Sequence, residues 1–283
     1  MLSRSRFMAL ITMRQLLGGA RPRPVAAFNV IMLEHVEGIA AGADRAGLPV
    51  IMQLSENAIR FHGGDPAPIA AAMVAVARAS RADIALHLDH ITDLALLQRA
   101  AELGFSSGMY DGSTHDFAAN VAQTREAAEW GKEHGVWIEA ELGEIGGKGG
   151  AHTPGVRTDP DEAAQFVADT RVDSLAVAVG SEHAMVERVG RVDQELVERL
   201  AAAVPVPLVL HGSSGLPDDV ITEATRRGIV KVNIGTALNV AYTGAVRRWL
   251  ESNASGVDPR KYTAEARDAV AEVVEHHLHV VAG

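Results

Sequence analysis

The sequence predicts an α/β protein, a (β/α)8 barrel of the TIM type, on three observations. Eight short β-like runs recur along the chain, at residues 25–29, 50–55, 84–89, 105–111, 136–142, 174–180, 207–212 and 229–235. Ala-rich amphipathic segments lie between them, among them 67–79, 93–103, 118–134 and 218–227. Strands that alternate with helices pair in parallel through right-handed crossovers. The chain has 283 residues, a length that one barrel of this kind routinely reaches. A doubly wound sheet is the competing arrangement, but no G-x-G-x-x-G motif opens the first unit. No linker or low-complexity stretch interrupts the pattern. Residues 1–283 are therefore expected to form a single barrel domain, with 259–283 as a C-terminal helical extension.

At the start of the chain, a positive beginning and the apolar run 7–11 superficially resemble a secretory signal. Arg14 interrupts it, and no small-residue cleavage pattern follows. A short helix or a ragged start is expected there, and a cytoplasmic protein. Along the β-like runs, side chains alternate between two faces. In 84–89, Ile84, Leu86 and Leu88 share one face, and Ala85, His87 and Asp89 the other. In 136–142, Ile138 and Ala140 oppose Glu139 and Glu141; in 229–235, Val230, Val232 and Ile234 oppose Lys231, Asn233 and Gly235. Branched residues can face the helices while polar or small ones face the barrel axis. A barrel filled by packing alone would carry apolar side chains on both faces, so the polar set points to chemistry.

Composition narrows that chemistry. With 47% hydrophobic and 22% charged residues the chain reads as globular, and with 4% aromatics its core must be mainly Ala, Val, Leu and Ile. A net charge of −10 argues against nucleic-acid or anionic-membrane partners. No segment is long enough to span a membrane. Without cysteine there is no disulfide, thiolate-held metal or Cys nucleophile. Twelve histidines remain, so a transition metal would be held by imidazole and carboxylate.

Catalytic residues of such barrels sit at the C-terminal ends of the strands. Those ends read Asn29, Ser55, Asp89 with His90, Asp111, Glu141, His183 just past its run, His211 and Asn233. Each alone has a structural explanation: a strand-end Asn or Asp makes a turn, His90 caps the next segment, His183 is a loop histidine. Together they ring one mouth. Three histidines from separate loops can supply a catalytic zinc site with an open position. His90, His183 and His211 form the selected set, with Glu141 as a further ligand or as a group that orients one. His87 points inward below Asp89 and is expected to orient that carboxylate; His35 is intermediate. His62, His115, His134, His152, His276, His277 and His279 fall in loops or helices away from the strand ends. After the last two runs come His211-Gly212-Ser213-Ser214-Gly215 and Asn233-Ile234-Gly235-Thr236. Glycines there permit tight turns, and such turns before helix N-termini also present backbone N–H groups that suit a phosphate.

The run His87-Leu88-Asp89-His90, then Glu139-Ala140-Glu141-Leu142-Gly143 with Gly146-Gly147, then Leu210-His211-Gly212-Ser213-Ser214-Gly215, resembles the class II, metal-dependent ketose-bisphosphate aldolases. These include fructose-bisphosphate and tagatose-bisphosphate aldolases. Ala27-Phe28-Asn29, Gln53-Leu54-Ser55, Lys231-Val232-Asn233 and Asp258-Pro259-Arg260-Lys261-Tyr262 extend the resemblance over nearly the whole chain. It implies His90, His183 and His211 as zinc ligands, with Glu141 and Asp111 as additional metal-site carboxylates and room for a second divalent or a monovalent cation. Asp89 would exchange a proton with the substrate's C4 hydroxyl, and Asn29 and Ser55 would contact substrate. Gly212, Ser213, Ser214, Asn233, Ile234, Gly235 and Thr236 would hold the phosphate of dihydroxyacetone phosphate. Arg260 would reach the second phosphate from a neighbouring subunit, which implies a homodimer or homotetramer. The implied reaction is reversible cleavage of a ketose 1,6-bisphosphate to dihydroxyacetone phosphate and an aldehyde such as glyceraldehyde 3-phosphate, as in glycolysis.

Two departures stand out. Where the family carries acidic residues on a mobile loop, one of which protonates the enediolate carbon, this chain has Lys148-Gly149-Gly150-Ala151-His152-Thr153-Pro154, so either His152 or another group substitutes or that step is slow. His183 is followed by Ala184-Met185-Val186 where a glycine is usual. Three alternatives follow: a different acceptor aldehyde, a catalytically impaired phosphosugar-binding barrel, and a Schiff-base aldolase using Lys231.

Overall fold

A computed structural model describes residues 10–20, 22–142, 157–181 and 187–283. Eight parallel strands pair in chain order and close on themselves through the first and last, as the sequence predicts. They are β1 (Val25–Asn29), β2 (Val50–Ser55), β3 (Ile84–Ile91), β4 (Ser107–Tyr110), β5 (Trp137–Glu141), β6 (Ser174–Ala176), β7 (Leu208–Leu210) and β8 (Ile229–Ile234). Closure sets Val25 opposite Lys231 and Ala27 opposite Asn233. No helix among the described residues is long and apolar enough to cross a membrane.

Helix α1 (Met13–Leu17) starts at a capping box in which Thr12 and Gln15 satisfy each other's exposed N–H groups. It plugs the N-terminal mouth of the barrel. Met13 and Leu17 pack there with the inward residues Val25, Ala27, Ile51, Ala85 and Trp137. Outside the barrel lie α2 (Leu33–Ala46), α3 (Glu56–Phe61), α4 (Ala67–Ala79), α5 (Leu94–Leu97), α6 (Phe117–His134), α7 (Pro160–Thr170), α8 (Gln194–Ala203), α9 (Asp218–Arg227), α10 (Thr236–Ser252) and α11 (Pro259–Ala282). Local chemistry sets their ends. Asp116 caps α6 through Ala119 N, and Gly135 ends it at φ 71°. Asp159 caps α7 just before Pro160 at the first turn.

Three expectations are corrected. Residues 93–103 do not form one helix: after Leu97 the bonds tighten to i−3, from Arg99 N to Leu96 O and from Ala100 N to Leu97 O. The run 174–180 is a strand only to Ala176, because Ala178 pairs instead with Thr158, N to Oγ1 at 2.8 Å and O from N at 2.9 Å. Val230 does not share a face with Val232 and Ile234. The β7–β8 register slips between Leu208 and Val209, and Val230 packs against the apolar cluster at the plugged end. The C-terminal segment forms one helix, α11, whose Val270, Val274, Leu278 and Val281 belong to the main core.

Candidate active site

Inward-facing residues change character along the barrel. The apolar floor gives way to Gln53, His87, Ser107, Glu139 and Lys231, and then to Asn29, Asp89, Glu141 and His211 at the C-terminal ends, all buried except the half-buried Asn29. This polar ring is the one that strand alternation predicts. Asp89 and His90 are adjacent, however, and alternation would send one of them outward. A register shift resolves the conflict. Leu88 faces Gly108 and Ile91 faces Tyr110, so β3 holds one extra residue. His90 takes φ 50°, one of only two positive-φ non-glycine positions among the described residues. Its ring then accompanies Asp89 toward the axis, and His90 Nδ1 meets Asp111 Oδ2 at 2.8 Å.

His90, Glu141 and His211 each offer a ligand atom, and these atoms lie within 4.8 Å of one another. His211 Nδ1 is 3.3 Å from Glu141 Oε2, while its Nε2 is 3.3 Å from Glu139 Oε1. Glu139 in turn accepts from Lys231 Nζ at 2.8 and 3.1 Å. Asn120 supports β5 by donating to the Glu141 carbonyl at 3.2 Å. Beside this cluster runs a chain of amides. Gln53 Nε2 donates to Asn29 Oδ1 at 3.0 Å, and Asn29 Nδ2 donates to Asp89 Oδ2 at 2.8 Å. The second oxygen of Asp89, with Gln53 Oε1 and Asn233 Oδ1, is buried with no protein partner. Such atoms are costly unless something else satisfies them.

Electrostatics follow the same geometry. Burial alone would lower the pKa of His90, but Asp89, the Asp111 bond and Glu141 outweigh it and raise the value to about 10. Burial favours neutral Asp89, yet His90 and Lys231 hold its pKa below the ordinary value. The same contest at Glu139, burial against Lys231 and His211, leaves its carboxyl far below the usual carboxylate range. Burial, reinforced by Lys231, pushes His87 down to about 3. The mouth therefore concentrates carboxylates that attract a cation.

A cavity of about 250 Å³ opens on these groups. Asn29, Ser55, Asp89, His90 and Asn233 line it, as do Gly212, Ser213, Ser214, Gly235 and Thr236. After β7 the chain makes a 3₁₀ turn at Ser213–Gly215, with Gly212 at φ 68°, and the N-terminus of α10 faces the same space through Thr236 and Asn239. Gly235 N donates to Ser214 Oγ at 3.2 Å and joins the two loops. A side chain at Gly235 would sit 2.8 Å from Asn29 Oδ1, so glycine is needed for that approach. Ser55 also caps α3 through Ala58 N.

Other residues singled out in the sequence lie outside the lining of the cavity. Ile234 is in the outer apolar cluster, because alternation turns its side chain toward the helices. Asp111 is absent from the three-residue cluster and instead holds His90 Nδ1 and Ser113. His87 does not orient Asp89; it bonds Ser107 Oγ at 2.6 Å, since residues two apart on a strand point into successive layers. Lys231 does not line the cavity and is held in the Glu139 ion pair. Arg260 is exposed, paired with Asp258, and outside this chain's cavity. His35 is buried on α2, stacked on Tyr242 at 5.1 Å. His183, His152 and the segments 143–156 and 182–186 lie outside the described residues. Gln53 was not among the expected site residues, although it shares the inward face of β2 with Ser55 and alternation alone could have found it.

The sequence profile described as "Fructose-bisphosphate aldolase class-II" matches residues 12–283. The chain is 35% identical to a fructose-bisphosphate aldolase of Thermus caldophilus, covering 96% of this chain and 97% of that one. It is also 35% identical to a 6-phospho-5-dehydro-2-deoxy-D-gluconate aldolase of Bacillus velezensis, with 96% and 95% covered. Among solved structures, the YdjI aldolase of Escherichia coli K12 superposes with a TM-score of 0.83 at 32% identity, covering 96% of this chain and 97% of that one.

Proposed function

The chain belongs to the class II fructose-bisphosphate aldolase family, and from that premise we propose that this lyase is zinc-dependent and cleaves a ketose bisphosphate reversibly to dihydroxyacetone phosphate and an aldehyde. One observation carries the reading. The His90, Glu141 and His211 donors form one cluster, and its His90 lines a cavity together with Asp89, whose second oxygen has no protein partner, and with residues of the two glycine-containing loops after β7 and β8.

The donor set fits a divalent ion. Two imidazoles and a carboxylate within 4.8 Å suit zinc. The remaining ring nitrogens are held by carboxylates, Asp111 on His90 and Glu139 on His211. His90, Glu141 and His211 would hold it, with His183 as the third imidazole. When bound, it supplies a Lewis acid for the ketose carbonyl.

The residues of the chain do the rest. Asp89 stays a carboxylate, its Oδ2 fixed by Asn29, and its Oδ1 takes the C4 hydroxyl proton. The C4–O bond becomes a carbonyl as the C3–C4 bond breaks, and the electron pair of that bond passes onto C3 of the departing three-carbon unit, which takes a proton from solvent to become dihydroxyacetone phosphate. In condensation Asp89 returns the proton. Backbone N–H groups of Gly212–Ser214 and the start of α10 receive the phosphate. Gln53 and Asn233 offer buried oxygens to substrate hydroxyls. Arg260, exposed and away from its own cavity, serves the site of a neighbouring copy in a homodimer or homotetramer. The enzyme works in the cytoplasm.

A second reading keeps the chemistry and changes the acceptor. It is favoured by the equal identity to the relative named for 6-phospho-5-dehydro-2-deoxy-D-gluconate, and by the loop 148–154 without a carboxylate. Condensation of dihydroxyacetone phosphate with a panel of phosphorylated and unphosphorylated aldehydes decides between them. Preference for glyceraldehyde 3-phosphate supports the first reading and preference for another aldehyde the second. No product from any aldehyde with the zinc-loaded protein contradicts both.

A further inference from the structure

Lys231 and Glu139 form an ion pair inside the barrel, 0% and 1% exposed. A buried pair of this kind contributes little to stability, since apolar residues of similar volume are often as good or better. Its contacts give it another purpose. Glu139 Oε1 faces His211 Nε2 at 3.3 Å, and an ionised carboxylate only accepts hydrogen bonds. A metal on Nδ1 would leave the one proton of the ring on Nε2, the atom that faces Glu139. The opposite nitrogen, Nδ1, faces Glu141 Oε2 at 3.3 Å within the cluster that includes His90.

Two donations from Lys231, at 2.8 and 3.1 Å, fix the plane of the Glu139 carboxylate. The remaining contact of the ammonium is His87 Nε2 at 3.5 Å, and His87 continues to Ser107 Oγ at 2.6 Å. Lys231 thus spans β3, β5 and β8 from the barrel axis without reaching the cavity.

We propose that Lys231 is a positioning residue: through Glu139 it fixes the tautomer and ring orientation of His211, so that Nδ1 is presented to the metal. This inference rests on the metal-dependent reading above. Loss of a group that orients a metal-binding histidine typically weakens metal binding about 10–100-fold.

Chelator competition for zinc, run on the whole protein, tests it. Lys231→Met should bind zinc at least about tenfold more weakly than the parent, and its cobalt-substituted form should show an altered visible spectrum. The double variant Lys231→Met/Glu139→Gln removes both charges but keeps an amide oxygen for His211 Nε2, so it should recover most of the affinity. Parental affinity in Lys231→Met, or no recovery in the double variant, would overturn the proposal. Should Lys231→Met fail to fold, ¹⁵N spectra of the zinc-loaded parent decide: zinc on His211 Nδ1 and a proton on Nε2 support it, and the reverse overturns it. A parent that binds no zinc overturns the metal reading and this inference together. Zinc binding that ignores Lys231 overturns this inference alone.

Discussion

Asp89 and His90 must both face the axis although they are neighbours, and the left-handed backbone at His90 is how the chain achieves it. Such a conformation costs ~1–3 kcal/mol outside glycine, and the Asp111 bond to His90 helps to offset it. The division of labour between the neighbours gives a direct prediction. Asp89→Ala should retain metal and lose about 10²–10⁴ in kcat, whereas His211→Ala should lose metal and turnover together. Steady-state kinetics with elemental analysis of each variant checks this, and near-normal cleavage by Asp89→Ala would remove the proton-transfer role. At this scale the strand-end rule made Asp89, His90, Glu141 and His211 legible in sequence. It could not separate Asp111, which sits behind a histidine, from the groups in front. That distinction depends on which ring nitrogen a side chain meets, and sequence does not carry it.

Helices α2 and α11 meet through glycines. A Cβ at Gly42 would lie 2.6 Å from Ala271 O and 2.7 Å from Val274 Cβ, neither able to yield readily. Alanine normally gains about 0.5–1 kcal/mol over glycine inside a helix, but overpacking costs about 1–3 kcal/mol. Gly42→Ala should therefore destabilise the protein by roughly 1–2 kcal/mol. In α10 the nearest atom to a Cβ at Gly244 is the flexible end of Arg248, 3.3 Å away, so Gly244→Ala should stabilise by about 0.5 kcal/mol. Urea unfolding of both variants measures the contrast. Asp44 ties α2 to the turn after α4, accepting from Ser80 Oγ, Arg81 N and Ala82 N at 2.7–2.8 Å. Burial would raise its pKa, but these bonds lower it below the ordinary 3.8. A lowered value in the folded state gives stability that is full above the ordinary value and lost as pH falls through the lowered one. Asp44→Ala should cost roughly 1–2 kcal/mol at neutral pH, and the gap from the parent should narrow as pH falls below about 4. Denaturant titrations across that range would expose a constant gap. The ends of these elements were only partly legible: caps and C-terminal glycines mark α6 and α7, but the i−3 tightening after Leu97 has no comparable marker.

Over the whole molecule, alternating strands and helices were enough to give the closed order β1 to β8, because each parallel pair needs its crossover on the outside. The slips at His90 and Val230 were not legible, since a single extra residue in a strand leaves the local pattern nearly unchanged. The layering from apolar floor to polar mouth also accounts for a chain of net charge −10 that takes an anionic substrate: the N–H groups and the cation-seeking cluster act locally. Bound metal should stabilise this end of the barrel. Zinc at 100 times its Kd adds about 2.7 kcal/mol, a rise in Tm of several degrees that chelation should remove. The most direct test needs no knowledge of the acceptor aldehyde. Exchange of the C3 hydrogen of dihydroxyacetone phosphate with deuterated water, followed by NMR, reports the carbon chemistry alone. The zinc-loaded protein should catalyse exchange, lose it to chelator, regain it with zinc and keep it through borohydride treatment. No exchange by the zinc-loaded protein, or exchange that survives chelation and is abolished by borohydride, would contradict a metal-dependent aldolase.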